Sequence, residues 1–210
     1  MFAAQRAHAP GGQLPDGRLP ATTRDRLVAA ASDLLAEGGT GAVTLRGVGE
    51  RAGVSRTAPY RHFRDKDDLL AAVAAAAFQQ LYQDMATAVA AAPSPVPEAL
   101  RRACRAYVRF GLSWPEHYRL IFHERLVEEE HSELTKSIPE GIQYFVALLT
   151  RGQQAEEVRS GDAQDLTILT WSALHGLVTL AQSGHLVRKG IESEEALARL
   201  LDELVAGLEV

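Results

Sequence analysis

From Thr22 onward, apolar positions recur at spacings of three and four, and no stretch alternates as a strand would. The first stripe is Leu27, Ala30, Ala31, Leu34 and Leu35. It predicts a helix over residues 22–37, opened by a weak Thr22/Asp25 capping box and stopped by Gly38 and Gly39. Leu45, Val48 and Ala52 then give a short helix behind Thr44, a good N-cap. Gly53 supplies a chain reversal, and Ser55 is placed to cap another short helix beginning at Arg56. Pro59 and Phe63, four apart, turn inward from that helix against Val48 and Ala52. Two short helices joined by a Gly-containing turn form a helix-turn-helix pattern, whose second helix enters the DNA major groove. Pro59 falls at the fourth helical position of this reading, which predicts a lost hydrogen bond and local strain.

Asp65 is the expected cap of a long helix over residues 66–92. Its stripe is Leu69, Leu70, Val73, Ala77, Leu81 and Met85, with Phe78, Tyr82 and Val89 beside it, and Pro93, Pro95 and Pro97 end it. Further helices are expected over residues 98–111, 116–127, 138–149, 166–187 and 191–208, the last capped by Ser193. The fold class is therefore all-α. Residues 1–20, with three glycines, three prolines and no periodicity, read as a disordered arm. Residues 21–68 form a three-helix DNA-binding domain, and residues 69–210 a helical regulatory and dimerisation domain. The long helix joins the two, so a shift at one of its ends must be felt at the other.

Charge sharpens this division. The 210 residues carry a net charge of −5, split as +2 for residues 1–70 and −7 for the remainder. Within 44–66, six basic residues stand against Glu50 and Asp65, a local +4. A basic head on an acidic body fits a DNA reader on a sensing or dimerising part. The interval 166–187 has no Asp, Glu, Lys or Arg, yet Thr167, Thr170, Ser172, His175, Thr179 and Gln182 would be costly in lipid. A helix–helix interface explains it better than a membrane span. The N-terminus has no signal-peptide pattern, and the cytoplasm is the expected location.

Candidates for chemistry are few. Cys104 stands alone, which excludes an internal disulfide framework and a Cys-based zinc site. His117, His123 and His131 lie near Glu116, Glu124 and the run Glu128–Glu130, but no His-Glu-x-x-His spacing occurs. Neither a phosphate-binding glycine loop nor a Gly-x-Ser-x-Gly elbow is present. No metal, cofactor or catalytic residue is expected, and the chain does not read as an enzyme. Two alternatives stand beside a regulator: an architectural DNA-binding protein, and a helical enzyme or carrier fused to a DNA-binding module.

The stretch AGVSRTAPYRHFRDKDDLL, residues 52–70, resembles the signature of the TetR family of bacterial transcriptional regulators, approximately (A)GVSxGTxYxHFxxKxxLL. Ala52, Gly53, Val54, Ser55, Tyr60, His62, Phe63, Lys66, Leu69 and Leu70 match it. Thr57 replaces its usual Gly, and Pro59 stands where Leu is commoner. The resemblance implies a homodimer on a palindromic operator in double-stranded DNA. Arg46, Thr57 and Arg61, with Arg56 and Ala58, would read or border bases. Thr44, Ser55, Tyr60, His62 and Lys66 would anchor phosphates. Further on, WSALHGLV resembles the Trp-x-x-x-His-Gly element of one class of TetR-type C-terminal domain. In the family the last two helices pack against their counterparts in a second subunit. That implies an interface with Trp171, Gly176, Thr179, Leu197, Leu201 and Leu204. A small apolar effector is implied as well, neutral or weakly cationic because Arg101, Arg105 and Arg109 are expected to point outward. Its candidate lining is Phe78, Tyr82, Met85, Tyr107, Phe110, Trp114, Phe122, Tyr144, Phe145, Trp171 and His175.

Overall fold

Helices account for every stripe that falls within the described part of the chain, and their ends show which local signals acted. The computed structural model describes residues 22–91, 93–122 and 133–210. The expected N-terminal arm, His123, His131 and the run Glu128–Glu130 lie outside the described residues. The first helix, α1 (Thr23–Ala42), opens with the reciprocal Thr22/Asp25 capping box, at 3.1 and 3.0 Å. Its helical geometry breaks at Gly38 and Gly39, where the glycine pair was expected to end it. Gly39 has φ 66° and ψ −168°, a conformation essentially restricted to glycine. α2 spans Leu45–Arg51 and α3 spans Ala58–His62.

The long helix α4 (Lys66–Ala90) begins where Asp65 accepts the Asp68 N–H at 2.9 Å. Its whole expected stripe, from Leu69 to Met85, is buried. It is followed by α5 (Val96–Ser113), α6 (Pro115–Ile121), α7 (Glu133–Gln154), α8 (Ala163–Gln182) and α9 (Glu194–Ala206). α7 begins earlier than the stripe at 138–149 implied, so Pro139 lies inside it. Ser193 caps α9 by accepting the Ala196 N–H at 3.1 Å. A short 3-10 turn, Val187–Lys189, follows α8, which therefore stops before the uncharged interval ends. Among the described residues the extended pairing is a single isolated bridge, Val158 with Glu209.

The described residues fall into two compact units. One comprises those within Ala7–Gln80 and Trp114–Ile138, and holds α1, α2, α3 and α6. Its core is built on Leu27, Leu35, Val48, Phe63, Leu69, Tyr118 and Ile121. The other comprises Leu81–Ser113 and Pro139–Val210, and holds α5, α8 and α9. α5 packs against both α8 and α9 there. Gly152 of α7 is buried in this unit, packed so closely that a Cβ would lie 2.5 Å from Val158 and 2.8 Å from Val96. Arg101 and Arg105, expected on an outward face, instead meet α9. Arg101 pairs with Glu209, and Arg105 donates to Asp202 at 2.7 Å. Their face of α5 is a helix–helix seam, which an apolar stripe alone does not reveal.

Candidate nucleic-acid interface

The DNA-reading pair is assembled from short-range contacts. The Thr44 hydroxyl accepts the Gly47 N–H at 3.1 Å and starts α2, leaving its own O–H free to donate. The chain reverses at Gly53, whose φ is 64°. The Val54 N–H returns to the Gly49 carbonyl at 3.1 Å. α3 starts at Ala58, two residues later than the Ser55 cap implied, and Thr57 makes no side-chain cap bond. Pro59 consequently occupies the second helical position, where its missing N–H has no helical partner to lose. The expected loss of a hydrogen bond does not arise, although Ala58 remains helical directly before the proline. Pro59 and Phe63 are buried as the spacing required. Gly49 explains how: a Cβ there would sit 2.9 Å from the Pro59 ring, so α2 and α3 approach closer than alanine permits.

Two arginines of α1 hold this arrangement, and neither is signalled by the motif. Arg26 donates to the carbonyl of Ala52 at 2.6 Å and to that of Gly53 at 3.4 Å, satisfying the end of α2. The Arg24 guanidinium stacks over the Phe63 ring at 5.1 Å. Arg51 forms a two-pronged bond to Glu37, both contacts at 2.8 Å, which holds the Glu37 carboxyl below the usual range. Lys66 is half-buried, and its ammonium donates to the Thr40 carbonyl at 2.6 Å, tying the start of α4 to the end of α1.

Thr44, Arg46, Ser55, Arg56, Thr57, Tyr60, Arg61 and His62 are exposed, and Ala58 is half-buried. Tyr60 is 61% exposed although aromatic. Arg46 pairs with Glu50 at 3.0 Å and Arg64 with Asp68 at 3.7 Å. Arg56 and Arg61 form no ion pair with any described residue. The outer side of this pair of helices thus offers two unengaged guanidiniums, a phenol and an imidazole above an apolar underside.

The expected effector residues divide between the two units. In one, Tyr82 meets Tyr144 edge-on at 5.3 Å, and Tyr144 meets Phe145 at 6.2 Å. Burial pushes the Tyr144 phenol up, and neighbouring Tyr82 adds to this. Met85, Tyr107 and Phe110 are buried in the same unit. Phe78, Trp114 and Phe122 belong to the other unit, where Trp114 stacks edge-on with His117 and Phe122 with Tyr118. Trp171, expected in the lining, is 40% exposed. It lies on the outer side of α8 beside the half-buried His175, whose pKa burial lowers. An open depression of about 500 Å³, lined by Gln153, Glu156, Val158, Ser160, Gly161 and Val210, contains none of the expected residues.

The implied dimer residues also separate. Ile168, Leu169, Trp171 and Leu180 are exposed large apolar groups on α8, and Thr179 is exposed among them. Among the described residues, nothing beyond its chain neighbours and the adjoining backbone of α8 lies within 4 Å of where a Gly176 Cβ would stand. Leu197 and Leu201 are already buried within the subunit, whereas Leu204 is half-exposed. Among the described residues, no group of three or more His, Cys, Asp or Glu is placed to hold a metal ion. No described helix is long and apolar enough to cross a membrane.

Comparison with known proteins agrees with this geometry. Residues 27–73 match the family model described as bacterial regulatory proteins, tetR family. Residues 100–204 match that of the tetracyclin repressor-like C-terminal domain. A protein of unknown function from Rhodococcus sp. RHA1 is similar at 28% identity, with a TM-score of 0.80 over 93% of this chain and 99% of that one. A TetR family transcription regulator from Marinobacter aquaeolei VT8 shares the fold at 18% identity and a TM-score of 0.67, over 89% of this chain and 95% of that one. The superantigen PfiT shares it too, at 18% identity and a TM-score of 0.69, over 91% of this chain and 98% of that one. Likeness at that distance carries architecture and not activity. The two family matches carry more: the chain belongs to the TetR family of bacterial transcriptional regulators.

Proposed function

We propose that this regulator is a homodimeric repressor that holds a palindromic operator and releases it when a small apolar effector binds. The observation that carries the DNA-reading part is the pairing of unengaged Arg56 and Arg61 with exposed Tyr60 and His62 around a helix whose other side is sealed by Pro59 and Phe63. A guanidinium without an intramolecular carboxylate can form a bidentate contact to guanine, whereas Arg51, engaged with Glu37, cannot do so without giving that bond up. The exposed apolar face of α8 supports a second copy as partner, because Leu169, Trp171 and Leu180 are large apolar groups left outside the subunit. For the effector, the edge-to-face ring cluster of Tyr82, Tyr144 and Phe145 supports an apolar ligand. Arg101 and Arg105 are neutralised by Glu209 and Asp202, which leaves neither to receive an anionic group.

Selection of duplexes from a random pool tests the central reading. The expected product is an inverted repeat. Replacing Arg56 or Arg61 with Ala should then reduce affinity for it by about 1–3 kcal/mol where the side chain reads guanine. Recovery of no preferred sequence at physiological salt would favour the architectural reading instead. For release, a thermal-shift screen of matched neutral and anionic compounds, followed by DNA-release assays, should return neutral ones. Tight, saturable binding by the anionic compounds alone contradicts that part.

A further inference from the structure

The unit that contains the DNA-reading helices also contains α6, a helix from far along the chain, and the contact between them is polar at its centre. α1 packs against α2, α3 and α6 alike. Ser32 of α1 and His117 of α6 are 4% and 1% exposed, and the Ser32 hydroxyl and the His117 Nε2 are 2.7 Å apart. Both groups are almost wholly shielded from solvent, so the bond cannot be exchanged for water at little cost. A second contact lies two turns further along α1. The Glu116 side chain of α6 reaches the break in α1, where a Cβ on Gly39 would stand 3.2 Å from its carboxylate. α6 thus meets α1 at Ser32 and, through the end of the Glu116 side chain, again at the break.

Close to the first contact α1 grips α2, and close to the second it grips α4. Five residues beyond Ser32, Glu37 grips Arg51 at the end of α2. One residue beyond Gly39, the Thr40 carbonyl receives Lys66, the first residue of α4. Trp114 meets the same imidazole edge-on at 5.5 Å. Trp114 also stands at the N-terminal cap of α6 and is among the expected effector residues. A group touching Trp114 would therefore act on the ring that bonds α1.

We infer that the Ser32–His117 bond is the link through which α6 sets the pose of the DNA-reading helices, making both residues positioning residues for operator recognition. The inference rests on the proposed reading of the chain as a sequence-specific regulator. Neither side chain touches DNA. Their effect is on how α1 presents α2 and α3, and so on selectivity rather than on phosphate attraction.

The test uses the full chain, the duplex that the wild type selects from a random pool, and an unrelated duplex of equal length at the same salt. The quantity read is the ratio of the two affinities, alongside the melting temperature of each variant. Ser32→Ala and His117→Phe should each lower the ratio roughly 5- to 10-fold, the scale of one lost buried hydrogen bond, while affinity for the unrelated duplex is unchanged. The double variant should lose no more than either single one, because one bond serves both residues. Ser32→Thr, which keeps the hydroxyl, should retain the wild-type ratio. Ser32→Ala removes a single oxygen from a packed site and is the variant expected to stay folded. A lower melting temperature with an unchanged ratio would show a purely structural bond and overturn the inference alone. A wild type that selects no duplex would overturn the regulator reading and this inference together.

Discussion

At the scale of single residues, the partner of a side chain decided more than its type. His117 was legible in the sequence only as one of three histidines near acidic residues. Its actual partner, Ser32, lies 85 positions away, and no spacing rule reaches that far. Burial pushes the His117 imidazole down to about 4, well below the 6.5 of an ordinary histidine. Between those values the unfolded chain binds a proton that the folded chain refuses. The stability this group contributes is therefore complete above pH 6.5 and is lost as pH falls toward 4, by about 3 kcal/mol at most. Urea midpoints at pH 7 and 4.5 should fall further for the wild type than for His117→Phe, and equal falls would contradict this assignment. Cys104 gives a second expectation. Burial raises its thiol to about 12, so alkylation at pH 8 should be negligible in the folded chain and prompt in urea. Rapid labelling without denaturant would mean that α5 opens readily.

Among the elements, helices were legible because amphipathic stripes and caps are local. Thr22, Thr44, Asp65 and Ser193 all act as the caps their positions implied. The start of α3 was not legible. Ser55 is a good cap by type, but beginning the helix at Ala58 moves Pro59 to a position where it breaks nothing. Nor did the motif announce Arg26, whose bond to the Ala52 carbonyl at the C-terminal cap of α2 spans 26 residues. Arg26→Ala should lower the melting temperature and loosen the turn at Gly53, seen as faster amide exchange from Ala52 to Ser55. Unchanged exchange would leave Gly53 alone responsible for the turn. Gly49→Ala is the sharper test of packing. A methyl 2.9 Å from the Pro59 ring must push α3 outward, an overpacking effect of about 1–3 kcal/mol. DNA affinity should fall with it, and full affinity with full stability would show that the two helices have slack.

For the molecule as a whole, the charge split implied a reading head and a separate body, but the sequence could not assign α6, because its stripe resembles that of any other helix. The outward side of α8 was only half legible: Gly176 stood out by type, while exposed Leu169 and Leu180 did not. Within the subunit Gly176 has room for a larger side chain, so Gly176→Leu should leave the isolated subunit folded. Sedimentation should nevertheless show a weaker dimer, and an unchanged one would remove Gly176 from the proposed interface. If the exposed face of α8 holds the proposed dimer, it also bears on gene dosage. Where subunits are scarcer than their dimer dissociation constant, the dimer population follows the square of subunit number, so doubling the gene copies raises it about fourfold. A cell would then read its own stock of this protein steeply. Tightening the α8 contact would flatten that response without altering a single residue that meets DNA.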